Sequence, residues 1–406
     1  MTPEAELVLA IAKEIVFDQK SNILDLIQKG SIDWSRFKEI IIYHGLTPFV
    51  YPILKDYLSL LPEDLNQTLK ATYYYSLNHL LQLEQEFLVL YDVFRKRKIT
   101  LIPIKGVALL EDLYSKYPVR SSADIDILVK EESLEEAIRV LEELGYKKNL
   151  EGLKEEYWRK KQYHFVFGPS EERYSLSDNS LTEQTKKGLK NHFHVVELHW
   201  DLDYRRYRRR LLPEMFGRLR EFTIQGKKIK LLSFEDTFFA LALHQRRFGT
   251  TLSLRNVCDM ALLLNKYKST FDWNYLLNES KKLKLCSTIY FALCQVDLFF
   301  KIGVPEYVWK GLNVHTLKKK IIQRFIEKNT FLPQLDMRAK SLYLKAHFLL
   351  YDNLWEPIDY ILNIPYEQFA KYYHLTPYNR KTDLFYKGRL LYIPLKVILN
   401  LASRRN

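Results

Sequence analysis

Asp124 and Asp126 lie in a run where Ile125, Ile127 and Val129 alternate with the two aspartates and Leu128. A period of two is the signature of a strand. Alternate side chains share a face, so the two carboxylates point the same way, roughly 7 Å apart along the backbone. Two carboxylates on one face of a buried strand repel each other and are costly to desolvate. A divalent cation removes both penalties. Hard oxygen ligands of this kind suit Mg2+, which normally arrives with substrate phosphates. The plainer alternative is two aspartates at a solvated strand end.

Upstream, Leu101 to Ile104 is a short β-type run, followed directly by Lys105-Gly106 and then by helical spacing from Val107 to Tyr114. Gly106 therefore falls at a strand-to-helix junction. Glycine lets the backbone come close to a ligand, and free N–H groups at a helix start attract phosphate. An ordinary turn glycine is the alternative. Downstream, Phe193 to Trp200 reads as another strand, in which Glu197 shares a face with Val195 and His199. The arginines 205, 206, 208, 209 and 210 follow. Such a run either grips phosphates or forms a solvated helix face.

These residues need a scaffold. Helices are expected over 3–20, 22–29, 34–43 and 49–58, with His44-Gly45-Leu46-Thr47-Pro48 as a stop. His44 reads as structural or capping. A long helix is expected from Leu69 to Lys98. Ser133 and Glu136 have capping-box spacing and open a helix ending at Gly145-Tyr146. Tyr163 to Phe167 reads as a strand, 170–191 as a polar insertion, and Phe222 to Leu231 as a hairpin turning near Gly226. Ser233, with Asp236 three residues on, starts a mainly helical stretch to about 350, where Lys318, Lys319, Lys320 and Arg324 face solvent. The order fits an α+β fold: a small mixed sheet with helices on one face, embedded between N-terminal and C-terminal helical regions. The expected divisions are 1–98 (helical), 99–232 (the α/β core), 233–350 (helical) and 351–406 (a C-terminal helical extension).

At 406 residues the chain exceeds one comfortable core. Apolar residues make up 47% and charged residues 27%, which fits a globular protein. The three cysteines, Cys258, Cys286 and Cys294, form no spaced metal motif and no disulfide framework. With no signal peptide or spanning segment legible, a reducing, cytoplasmic setting is expected. The net charge of +13 favours anionic partners: nucleotide, nucleic acid or a lipid surface. Residues 388–406 place Leu395, Ile398, Leu399 and Ala402 on one helical face with basic flanks. Such a segment either docks on protein or makes weak peripheral contact with an anionic membrane.

The segment 99–130 resembles the nucleotidyltransferase superfamily that includes DNA polymerase beta. More closely, it is similar to a poorly characterised bacterial and archaeal nucleotidyltransferase family with a Lys-Gly-x-x-Leu helix start, a tyrosine, an arginine and an Asp-x-Asp strand. Here these are Lys105, Gly106, Leu109, Tyr114, Arg120, Asp124 and Asp126. Val107 follows the glycine where the superfamily more usually has serine, so no hydroxyl is available there. The likeness continues in Val196, Glu197, His199 and Trp200, in Asp33-Trp34 and His44-Gly45, and in Leu243-His244, Cys258-Asp259 and Phe271-Asp272-Trp273.

The resemblance implies metal-dependent transfer of a nucleoside monophosphate group from a nucleoside triphosphate, ATP among the candidates, with release of pyrophosphate. It implies Asp124, Asp126 and Glu197 as catalytic ligands of Mg2+ or Mn2+. It places Lys105, Gly106, Arg120, His199 and His244 at the nucleotide, although Lys105 and Arg120 are also suited to structural ion pairs. His244 and Asp259 are alternatively a buried pair with one another. His199 is alternatively an orienting or structural residue, and Trp200 packs in the core. The acceptor is a small molecule, a protein or an RNA. The competing reading is a non-catalytic nucleotide- or RNA-binding protein on the same fold.

Overall fold

The computed structural model describes residues 1–29, 31–114, 119–150, 164–169, 194–203, 212–247, 251–331, 345–363 and 380–389, with a few single positions between them. The polar insertion at 170–191, the arginine run at 205–210 and nearly all of 390–406 lie outside the described residues.

Four helices open the chain: α1 (Pro3–Phe17), α2 (Ile23–Lys29), α3 (Trp34–Tyr43) and α4 (Thr47–Leu54). The side chains of Thr2 and Asp33 accept backbone N–H bonds at the starts of α1 and α3, the usual N-cap chemistry. Helix α5 (Glu63–Lys96) follows. Its 34 residues span about 50 Å. It begins six residues before the expected start, with Glu63 and Asp64 favourably placed in its first turn.

The sheet comes next: β1 (Ile102–Pro103), β2 (Asp124–Leu128), β3 (Tyr146–Asn149), β4 (His164–Pro169) and β5 (Val195–His199). Its spatial order is β1-β2-β5-β4-β3. Only β2 and β5 run parallel, with Asp126 opposite Glu197 and Leu128 opposite His199. The other pairs are antiparallel, and β4 sets His164 opposite His199. Helix α6 (Val107–Leu113) lies between β1 and β2, and α7 (Leu134–Glu143) lies between β2 and β3. Ser133 makes no side-chain capping bond. A short 3-10 turn over Glu131–Ser133 starts α7 instead of the expected capping box.

The alternation along the strands divides the sheet's two faces. Ile125, Ile127, Phe165, Phe167, Val196, Leu198 and Trp200 pack into one apolar cluster with residues of α5 and α7. Trp200 meets Phe165 at 4.7 Å between ring centroids, which makes it a core residue. The opposite face carries Asp124, Asp126, Glu197, His199 and His164.

After a short helix α8 (Leu212–Phe216), the hairpin β6 (Arg220–Ile224) and β7 (Lys227–Leu231) turns at Gln225-Gly226, both at positive φ. The helical half contains α9 (Phe234–His244), α10 (Leu254–Lys266), α11 (Trp273–Lys282), α12 (Cys286–Phe300), α13 (Glu306–Gly311) and α14 (Thr316–Asn329). Further on lie α15 (Trp355–Leu362) and α16 (Arg380–Lys387). Ser233 and Asp272 cap α9 and α11. These helices share one apolar cluster with α1 to α4, and Leu128 from the site face of β2 belongs to it. His44 is buried, and its Nδ1 accepts the Leu254 N–H at 3.1 Å, tying the N-terminal helices to the start of α10. Burial holds its pKa down to about 3, so it stays neutral in this capping role. The fold is thus α+β, a mixed sheet flanked by helical regions. Among the described residues no helix is long and apolar enough to cross a membrane.

Candidate active site

Parallel pairing of β2 with β5 places Asp126 and Glu197 side by side, while the strand period puts His199 on the same face. One ligand atom from each of Asp126, Glu197 and His199 lies within 4.8 Å of the others. His199 Nε2 is 3.0 Å from Asp126 Oδ1 and 3.4 Å from Glu197 Oε2. All three side chains are buried. Two carboxylates and an imidazole whose donor atoms converge in the buried interior are a set that suits a divalent cation. The resemblance grouped Asp124, Asp126 and Glu197; in the structure His199 joins the tight cluster and Asp124 stands beside it. Asp124 is close enough to feel both other carboxylates. Burial first, then Asp126 and Glu197, push its pKa up to about 7.

Two cations balance the acidic face. Lys105 Nζ is 2.6 Å from Asp126 Oδ1. The Arg247 guanidinium meets Glu197 through Nη1 at 3.2 Å and Nη2 at 3.4 Å. Burial works to raise the pKa of Asp126, but Lys105 and the His199 hydrogen bond outweigh it and hold it below the ordinary value. Glu197 is held well below its ordinary range: burial is outweighed by the His199 hydrogen bond and by His164 and Arg247. His164 Nε2 approaches Glu197 Oε1 at 3.7 Å, and its ring stacks on His199 with centroids 5.0 Å apart. Burial drives the His164 pKa to about 3. His244, at the end of α9, is held neutral by burial and by the nearby Lys105 and Arg247 cations.

Gly106 begins α6 with φ +47° and ψ −109°. A Cβ there would meet Ser122 Oγ at 2.7 Å. Gly106→Ala is therefore expected to cost about 2 kcal/mol through the left-handed backbone and the contact together. The thermal unfolding midpoint reads this, and adding Ser122→Gly should recover only part of the loss, because φ stays positive.

Arg120 lies away from the carboxylate cluster's hydrogen bonds. Its Nε donates to Asp259 Oδ1 at 2.8 Å and its Nη2 to Asp259 Oδ2 at 2.7 Å. Asp259 also accepts from Tyr114 Oη at 2.7 Å, so its carboxylate is committed to Arg120 and Tyr114. Arg255 Nη1 donates to the Ser121 carbonyl at 3.0 Å, securing the approach to β2. Of the nucleotide contacts implied by sequence, Lys105 and His199 touch the cluster, and His244 faces the same charges. Arg247, Arg255 and His164 are not among the residues the resemblance implies. For His164 a signal existed: a polar residue alternating with Phe165 and Phe167, at the head of a strand. Arg247 lies three residues past His244, beyond the helix, where no periodicity marks it.

A mixed sheet between helical regions, with a buried Asp/Glu/His cluster on the face opposite α5 and α7, defines a nucleotidyltransferase-like core whose site is compatible with metal-dependent catalysis. Residues 30–301, more than half of the chain, match the family described as "Uncharacterised nucleotidyltransferase", and the chain belongs to that family. No curated protein and no solved structure matches it.

Proposed function

We propose that the protein transfers a nucleoside monophosphate group from a nucleoside triphosphate to an acceptor nucleophile. The observation that carries this reading is the buried Asp126–Glu197–His199 cluster, with Asp124 beside it, in a chain of this family. The acceptor oxygen bonds to the α-phosphorus as the bond to the α–β bridging oxygen breaks. Pyrophosphate leaves with that electron pair, and the acceptor's proton passes to solvent. Asp124, Asp126 and Glu197 would hold the divalent cation, Mg2+ or Mn2+. When bound, it supplies charge neutralisation at the phosphates and lowers the acceptor's pKa.

The chain's own cations do the rest. Lys105 and Arg247 exchange a carboxylate for the triphosphate as it enters, so the charge they balance moves with them. Gly106 leaves room for phosphates at the start of α6. His244, neutral beside Lys105 and Arg247, donates or accepts a hydrogen bond at the nucleotide.

The test is transfer from α-labelled ATP, GTP, CTP and UTP, with Mg2+ or Mn2+, into RNA, protein and small-molecule fractions of a cell extract. The expected result is label in one fraction, lost in the Asp124→Ala/Asp126→Ala double variant. Absence of any metal-dependent triphosphate binding by the purified chain would replace this reading with the non-catalytic one. An RNA acceptor would show binding that weakens steeply as salt rises. The arginine run at 205–210 that suggested it lies outside the described residues.

A further inference from the structure

We propose that His199 is a direct metal ligand, and that its nitrogen makes the site prefer Mn2+ and similar transition metals over Mg2+. The inference rests on the cluster being the metal site, but not on nucleotidyl transfer. His199 Nε2 points between the two carboxylates, 3.0 Å from Asp126 Oδ1 and 3.4 Å from Glu197 Oε2. An ion drawn to Asp126 and Glu197 must therefore settle beside Nε2, because the three donor atoms already converge within 4.8 Å. The side chain is almost wholly buried on the inner strand β5, and His164 stacks on its ring at 24° between planes. The ring has little freedom to turn aside.

A mixed nitrogen and oxygen donor set discriminates between metals. Mg2+ prefers oxygen and gives up its water reluctantly. Imidazole suits Mn2+ less than it suits later transition metals, but better than it suits Mg2+. A bound ion would take the Nε2 lone pair in place of the His199–Asp126 hydrogen bond, the single proton of the neutral ring shifting from Nε2 to Nδ1 by exchange with solvent. Lys105 Nζ, 2.6 Å from the same Asp126 oxygen, must step away, as must Arg247 from Glu197.

The test uses the full chain stripped by a chelator, with no nucleotide present. Mn2+ is titrated in and followed by electron paramagnetic resonance, and the bound ion is probed by electron spin echo modulation. The expected result is nitrogen modulation from a directly bound imidazole, with Mg2+ displacing Mn2+ only at about tenfold excess or more. His199→Gln should lose the modulation and weaken Mn2+ binding, while His164→Gln keeps the modulation. Bound Mn2+ without nitrogen modulation in the unsubstituted protein would overturn the proposal and leave His199 as a hydrogen-bond donor to the carboxylates. That measurement needs no variant, so a misfolded His199→Gln does not blunt it. Nitrogen-ligated Mn2+ in a protein that transfers no nucleotide would sink the proposed function alone. Transfer with an all-oxygen site would sink this inference alone.

Discussion

Asp126→Asn and Asp124→Asn are both expected to cut nucleotidyl transfer by about 10³-fold or more, while moving the stability of the metal-free protein in opposite directions. Asp126 is buried and paired with Lys105 and His199. Its pKa is held below the ordinary carboxylate value, against the effect of burial. Its stabilising contribution is therefore present above pH ~4 and is lost as the pH falls through the folded value. Replacing it leaves the largely buried Lys105 ammonium without that partner, a loss of about 2 kcal/mol.

Asp124 has the opposite sign. Burial, then Asp126 and Glu197, raise its pKa to about 7. The folded protein holds that proton longer than the unfolded chain does. Stability is thus lost as the pH rises from ~4 to about 7, and the penalty is complete above that. Asp124→Asn removes the penalty and should add about 2 kcal/mol at pH 8 after discounting for solvent screening, and almost nothing near pH 4. Saturating Mn2+ should erase the gain, because a bound cation neutralises the same charges. Thermal unfolding in chelator from pH 4 to 8, beside the transfer assay, checks both halves. A midpoint for Asp124→Asn below that of the unsubstituted protein across this range would contradict the electrostatic account. Undiminished transfer by either variant would remove the carboxylates from the chemistry.

The legible part of this site is the part written along single strands. The alternation at 124–129 gave β2 and the shared face of its aspartates, and the same period around Glu197 gave β5 with His199 on the site face. Ile125, Ile127, Val196 and Leu198 then had only one place to go, the apolar layer under α5 and α7. What periodicity cannot carry is which strands are neighbours. The parallel pairing that sets Asp126 beside Glu197 joins residues 71 positions apart, and it decides that His199, rather than Asp124, completes the tight cluster. Arg247 reaches Glu197 from beyond the end of α9, and Lys105 turns back on Asp126 from the loop before α6. Both are salt bridges between elements, and neither leaves a mark in local composition. The capping box at Ser133 shows the converse limit. Its spacing is right, but the 3-10 turn before α7 places Ser133 in a helical conformation. An N-cap side chain needs an extended backbone to reach the free N–H groups.

Arg120→Ala is expected to lower stability by about 3–5 kcal/mol while leaving the KM for the nucleoside triphosphate of the folded fraction unchanged. The resemblance set this arginine at the nucleotide, yet its guanidinium makes a buried two-point contact with Asp259 on α10, and Tyr114 binds the same carboxylate. Arg120 is 4% exposed and Asp259 0%, so deleting either leaves a charge that water cannot reach. The contact joins the segment leading into β2 to the helical half of the molecule. Its loss loosens the support of Asp124 and Asp126 without touching a ligand. The pair Arg120→Met with Asp259→Leu removes both charges and keeps apolar volume, so it should recover part of the loss, the rest being the Tyr114 hydroxyl left without its acceptor. A double-mutant cycle in denaturant unfolding should give a coupling of about 3 kcal/mol, the upper end for contacting residues. An Arg120→Ala protein that unfolds at the original midpoint and shows a raised KM would return this arginine to the nucleotide. The structural reading requires the opposite: a lowered midpoint, an unchanged KM at temperatures where the chain is folded, and partial rescue by the paired apolar substitution.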